Sequence, residues 1–347
     1  MSRALYEPGM GYYTRPEIEI GRAGDFYTSP HLHPAFGWTL GKVLEEMRPH
    51  LSAENFTVIE QGPGKGLLAK DILDHLKGKE IYGELRYFII EINPRLRERQ
   101  EGLLKEHREK IIWSESLGPL KGKGIGGVLL SNELLDAFPV HVVEMTGEGL
   151  KEIHVNVKDD GFEEITGPLS TPLIEEYLKE FAPEGLPEGY RTEVNLALKD
   201  WLLDVSTILL NEGFIITIDY GYPAWEYYSP ERNRGTLLSY YRHRVTEEFY
   251  EHIGEQDLTA HVNFSALKKW GEELGFKCLG YTRQGAFLVS SGIDQFMAGL
   301  DPFETAKIKG LLLPGTMGET HKIMVQYRGE GNPLLKGFAL RNEANSL

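Results

Sequence analysis

The chain has 347 residues, 41% hydrophobic and 26% charged, proportions of a globular domain or two rather than of a disordered, collagenous or coiled-coil chain. With 37 basic against 52 acidic side chains the formal net charge is −15, which argues against general DNA or RNA binding and for a cationic substrate or partner. The single cysteine, Cys278, excludes an internal disulfide, and the apolar runs are far shorter than the roughly 20 residues of a membrane helix. No apolar stretch follows Met1, so a cytoplasmic protein without a membrane span is expected.

Residues 1–40 carry turn signals at Pro8-Gly9, Gly11, Pro16, Gly21, Gly24, Pro30 and Pro34 and read as loop. Long irregular segments in compact proteins are commonly functional, and Tyr6, Tyr12, Tyr13, Phe26 and Tyr27 argue that this one packs. Asp25, Thr28 and Ser29 are expected either to face a bound ligand, as part of a cover that excludes water, or to clasp the N-terminus against the sheet. Helical spacing from Ala35 to Met47 completes an N-terminal lid segment and helix, residues 1–50.

Short apolar runs then alternate with helical stretches. Residues 56–60, 85–91, 111–113, 127–131 and 214–219 read as strands, and 67–76, a stretch from Pro94, and 194–210 as helices. This alternation predicts an α/β fold with a mostly parallel sheet, its first half in residues 51–139 and its second in 191–347. Residues 140–190 insert a β-meander with turns at Thr146-Gly147 and Asp159-Asp160-Gly161, and residues 222–262 a loop-rich segment. Towards the end, 264–274 is expected as helix, 276–288 as strand, 294–311 as a final helix and 323–327 as the last strand.

The chemistry-bearing residues sit where predicted strands end. Gly62, Gly64 and Gly66, in G-x-G-x-G spacing, let the backbone approach a ligand closely, but not with the G-x-G-x-x-G spacing of dinucleotide folds. Glu60 before them suits a ligand with an ammonium group, as in S-adenosylmethionine; a plain tight turn is the alternative. Glu91 ends the second strand, where nucleotide-binding folds place an acid for ribose hydroxyls, unless it only caps the next helix. Glu115 and Ser116 follow the third strand at a place suited to adenine, and Asn132, Glu133 and Asp136 follow the fourth. His31 and His33 stand two apart between prolines with no cysteine nearby, so no metal site is expected.

Taken together, the segments LYEPGMGYY, GRAGDFYTSP, EQGPGKG, EINPRLRERQ, SNELLDAFPVH, IDYGY, DLTAHVNF and TMGETHKIM resemble the MidA-like family of class I S-adenosylmethionine-dependent methyltransferases. The resemblance implies a Rossmann-like seven-stranded sheet with helices on both faces. It also implies S-adenosyl-L-methionine as cofactor and a protein arginine as acceptor, with a respiratory-complex subunit as one target. A guanidinium stays protonated, so carboxylates should clamp it and take up its proton; Glu133, Asp136 and Glu193 are the candidates. His261, oriented by Asp257, is either a proton acceptor or a structural histidine. A catalytically silent cofactor-binding assembly chaperone, or methylation of a small molecule or RNA, are the competing functions.

Overall fold

The structure, a computed structural model, describes residues 1–18, 21, 27–54, 56–159, 161–183 and 185–347. Its strands begin with β1 (Thr57–Gln61), β2 (Arg86–Ile90), β3 (Ile111–Ser114) and β4 (Gly127–Asn132). An inserted sheet follows: β5 (His141–Thr146), β6 (Gly149–Lys158), β7 (Gly161–Gly167) and β8 (Arg191–Val194). After β9 (Gly213–Tyr222) come β10 (Leu238–Tyr241), β11 (Arg244–Thr246), β12 (Asp257–Thr259), β13 (Val262–Asn263), β14 (Lys277–Arg283) and β15 (His321–Arg328).

The central sheet has the order β14-β15-β9-β4-β1-β2-β3, with β13 adding a short eighth strand against β9. Strands β9, β4, β1, β2 and β3 run parallel, and β15 alone runs antiparallel to both its neighbours, β9 and β14, so that β14 points the same way as the parallel set. The sheet is buried on both faces because side chains alternate along each strand. Val58, Leu130 and Ile216 join one core with Phe36 and Leu40 of the helix Ala35–Met47. Their neighbours Ile59, Leu129 and Ile215 join the other, with Leu198 and Leu202 of the helix Ala197–Ile208. Each such fully buried aliphatic contributes about 1.5–3 kcal/mol.

Several expected elements are redrawn. The run 276–288 is not one strand: β14 ends at Arg283 and a helix, Gln284–Ser290, follows. Periodicity cannot separate the two in a continuous apolar run. The stretch 294–311 splits into a 3-10 turn, Ile293–Phe296, and a helix, Pro302–Leu312, whose start is fixed by Asp301 accepting from Phe303 N–H at 2.8 Å. Val194 closes β8 rather than opening a helix, and Glu193 pairs with Val142 in the inserted sheet. The insert 222–262 carries a three-stranded sheet, β11-β10-β12. Among the described residues no helix is long and apolar enough to cross a membrane.

Candidate functional site

The carboxyl ends of β1, β2 and β4 open into a cleft of about 540 Å³, lined by Thr28, Glu60, Gly62, Gly64, Glu91, Glu115, Ser116, Asn132 and Glu133 among others. That volume lies within the roughly 300–1,000 Å³ of small-molecule sites. The loop after β1 bends through three glycines with positive φ, 70° at Gly62, 55° at Gly64 and 81° at Gly66. A Cβ at Gly62 would stand 3.0 Å from Leu134 Cδ1, besides being strained. The loop is therefore a bare backbone cradle, of the kind a ligand can lie against.

Two buried acids flank the cradle. Glu60 is 2% exposed; Tyr87 donates its hydroxyl to one carboxylate oxygen at 2.7 Å, and the other has no partner among the described residues. Burial, with Glu91 nearby, outweighs the Tyr87 bond and pushes Glu60 up to about 7. Glu91 accepts from Asn93 N–H at 2.8 Å and from Gln100 Nε2 at 3.0 Å, and burial pushes it too up to about 7. Gln100 also donates to the Gly64 carbonyl at 2.8 Å and accepts from Trp113 Nε1 at 3.1 Å. One amide thus ties the cradle to the acid of the second strand. Sequence reasoning missed Gln100, though its signal is legible: it stands four residues after Leu96 and four before Leu104 on the buried stripe of the helix Pro94–Leu103.

A second cavity of about 330 Å³ adjoins the first, and Tyr13 and Glu133 line both. Its other walls include the carboxylates of Asp136 and Asp257, the aromatic rings of Tyr27, Tyr220 and Tyr240, and His243. Asp136 is buried; that burial, then Asp219, Asp257 and Glu133, hold its carboxyl well above the usual range. The N-terminal segment closes this side. Tyr13 donates to Asp257 at 2.8 Å, Tyr6 to the Ala137 carbonyl at 2.9 Å, and Asn93 Nδ2 to the carbonyls of Tyr13 and Arg15.

The structure brings most of the expected ligand-facing residues to the first cleft: Thr28, Glu60, Gly62, Gly64, Glu91, Glu115, Ser116 and Asn132. Asp25 lies outside the described residues. Ser29 does not face the cleft; it is buried and donates to Gln284 Oε1 at 3.0 Å, because the helical turn Ser29–Leu32 rotates it inward. Gly66 caps the helix Leu67–Leu76 and packs towards Gln100 rather than the cleft.

Of the expected acceptor-side residues, Glu133 and Asp136 line the second cavity and Glu193 and His261 do not. Glu193 accepts from Thr236 N–H at 2.9 Å, Leu237 N–H at 3.1 Å and the Thr236 and Tyr227 hydroxyls, so its carboxylate is committed to holding the insert. His261 is wedged beside Tyr220 and Tyr222. Burial, then Arg232 and Lys322, push its ring down to about 4, leaving a neutral packing residue. Asp257 does not orient it, accepting instead from Tyr13.

The chain matches a family model for S-adenosyl-L-methionine-dependent methyltransferases over residues 39–282. The mitochondrial protein arginine methyltransferase NDUFAF7 of Danio rerio is 27% identical, over 92% of this chain and 80% of its own. The NDUFAF7 homolog of Drosophila melanogaster is 26% identical over 95% and 80%. A Burkholderia thailandensis protein crystallised with S-adenosyl-homocysteine superposes with a TM-score of 0.89 at 31% identity, over 100% of this chain and 90% of that one.

Proposed function

This chain belongs to the family of S-adenosyl-L-methionine-dependent methyltransferases, and from that premise we propose that it methylates the guanidinium of an arginine in a protein. The observation that carries the proposal is the second cavity, whose carboxylates and aromatic rings share Glu133 with the donor cleft. A guanidinium is a planar cation that bonds carboxylates in a fork and stacks on aromatic faces. Chamber and acceptor are complementary in both respects. The names of the relatives, protein arginine methyltransferases, support the same acceptor.

The glycine cradle, the ionisable Glu60 and the Glu91 carboxylate fit the donor, with Glu60 facing its ammonium and Glu91 its ribose. The bound cofactor supplies a sulfonium methyl group. Glu133 and Asp136 hold the guanidinium with one nitrogen turned towards the donor cleft. As the N–C bond forms and the S–C bond breaks, sulfur keeps the bonding pair, and the proton leaving nitrogen passes to Glu133. Asp136, raised by burial, holds a proton until the cation enters, then releases it to solvent and becomes the second carboxylate of the clamp.

The test is transfer of tritiated methyl groups into a lysate of the source organism, followed by mass spectrometry of the labelled species. Label on arginine is expected, with a respiratory-complex subunit as the target the family resemblance implies. Label confined to RNA or to small molecules, or none at all, sinks the proposal. The cytoplasmic placement also belongs to the proposal, whereas the relatives are mitochondrial by name. Fractionation of source cells decides it.

A further inference from the structure

Glu133 stands at the junction of the two cavities with a left-handed backbone, φ 51°, a conformation that strains a residue with a Cβ. Strain of this kind persists only where the surroundings over-determine it. The backbone side is settled by Glu133 N–H donating to the Ile218 carbonyl at 2.8 Å and by Asp219 accepting from Leu134 and Leu135. The side chain needs its own restraint.

That restraint comes from the far end of the chain. His321 opens β15 and pairs in register with Tyr220 of β9. Its side chain is fully buried, lines neither cavity among the described residues, and packs against Tyr220 with ring centroids 4.1 Å apart and the planes tilted by 44°. Its Nε2 stands 3.3 Å from Oε1 of Glu133, whose side chain is 7% exposed. Asn132 Nδ2 meets the same oxygen at 3.1 Å, and the Tyr220 hydroxyl meets the other at 3.5 Å. Thr320 Oγ1 stands 3.2 Å from Nδ1, while Nε2 approaches the carboxylate at ion-pair distance without the alignment of a hydrogen bond.

Resting on the arginine-methylation proposal, we propose that His321 is a positioning residue for methyl transfer, holding the Glu133 carboxylate between donor and acceptor. It touches neither. The contact is made only when the last strand folds back beside β9, so the closing strand completes the site.

The test compares His321→Leu, His321→Gln and Glu133→Gln in the full-length protein. The rate of tritiated methyl transfer to arginine is followed against lysate concentration, and S-adenosylhomocysteine affinity is measured by calorimetry. For His321→Leu the maximal rate is expected to fall by about 100-fold, the cost of a misplaced catalytic group. Half-saturating lysate concentration and S-adenosylhomocysteine affinity should stay within about twofold. His321→Gln keeps a donor within reach of Glu133 and should recover most of the rate. A leucine variant with a normal rate, or one losing cofactor affinity in step with rate, overturns the inference, as does a folded glutamine variant no better than leucine. If the leucine variant does not fold, the glutamine variant alone decides: a normal arginine-methylation rate supports the inference and a 100-fold loss overturns it. Glu133→Gln separates the two levels: normal arginine methylation in that variant removes the proposed chemistry itself, whereas its inactivity beside an active His321→Leu removes only the role of His321.

Discussion

The carboxylate of Asp219 accepts the backbone N–H of Leu135 at 2.9 Å, and through that bond the end of β9 shapes the turn that follows β4. The same oxygen takes Leu134 N–H at 3.2 Å and the other takes Tyr220 N–H at 2.9 Å. Asp219 lines neither cavity among the described residues, yet Glu133 owes its place to this turn. In Asp219→Asn an NH2 group must face a backbone N–H, leaving one buried donor unpaired. A loss of about 1–3 kcal/mol in unfolding free energy is expected, with methyl transfer falling further than cofactor affinity. Urea titration and calorimetry check this, and an unchanged unfolding midpoint refutes it.

Gln100→Leu should act on donor binding although Gln100 lies behind the cleft. The variant releases the Gly64 carbonyl, the Glu91 carboxylate and Trp113 Nε1 together. Buried groups left unpaired cost about 1–3 kcal/mol each, so S-adenosylhomocysteine affinity should fall by about tenfold or more. An affinity equal to that of the native protein would show that Gln100 only packs.

Stability and donor binding should respond to pH in opposite directions. Glu60 and Glu91 titrate near 4.5 in the unfolded chain and about 7 in the folded one, raised by burial. Between those values the folded chain retains protons that the unfolded chain has released. The stability these two groups contribute is therefore complete below about pH 4.5, falls as pH rises and levels off above about 7. Donor binding needs Glu60 charged against the ammonium, so S-adenosylhomocysteine affinity should rise between about pH 6 and 8. Glu60→Gln should flatten both curves, measured by thermal melts and calorimetry across that range. A native affinity that does not vary with pH would separate Glu60 from the ammonium.

Neighbouring hydroxyls in the N-terminal segment should separate cleanly. Thr28 lines the cleft, and its Oγ1 stands 2.7 Å from His31 Nδ1; Ser29 is buried against Gln284. Thr28→Ala should slow methyl transfer with the melting temperature of the ligand-free protein nearly unchanged. Ser29→Ala loses one buried hydrogen bond, about 1 kcal/mol or a few degrees, and should turn over normally below its melting point. The reverse pattern would make Thr28 the clasp and Ser29 the ligand contact.

What the sequence determined is local chemistry. Strand ends, the three glycines, Glu60 and Glu91 are legible because apolar periodicity marks each strand and the acid or glycine follows directly in the chain. From that alone one cleft could be assembled, since a parallel sheet brings successive strand ends to one edge. The tertiary structure decided what depends on register between distant elements. It placed Glu193 in β8, where the insert uses up its carboxylate, and turned His261 into packing between tyrosines. It also brought Tyr13 to Asp257 across 244 residues and His321 to Glu133 across the antiparallel return of β15. An acid's role depends on which partners reach it after folding: burial and hydrogen bonds either consume a carboxylate or leave it for a ligand, and no spacing along the chain records which.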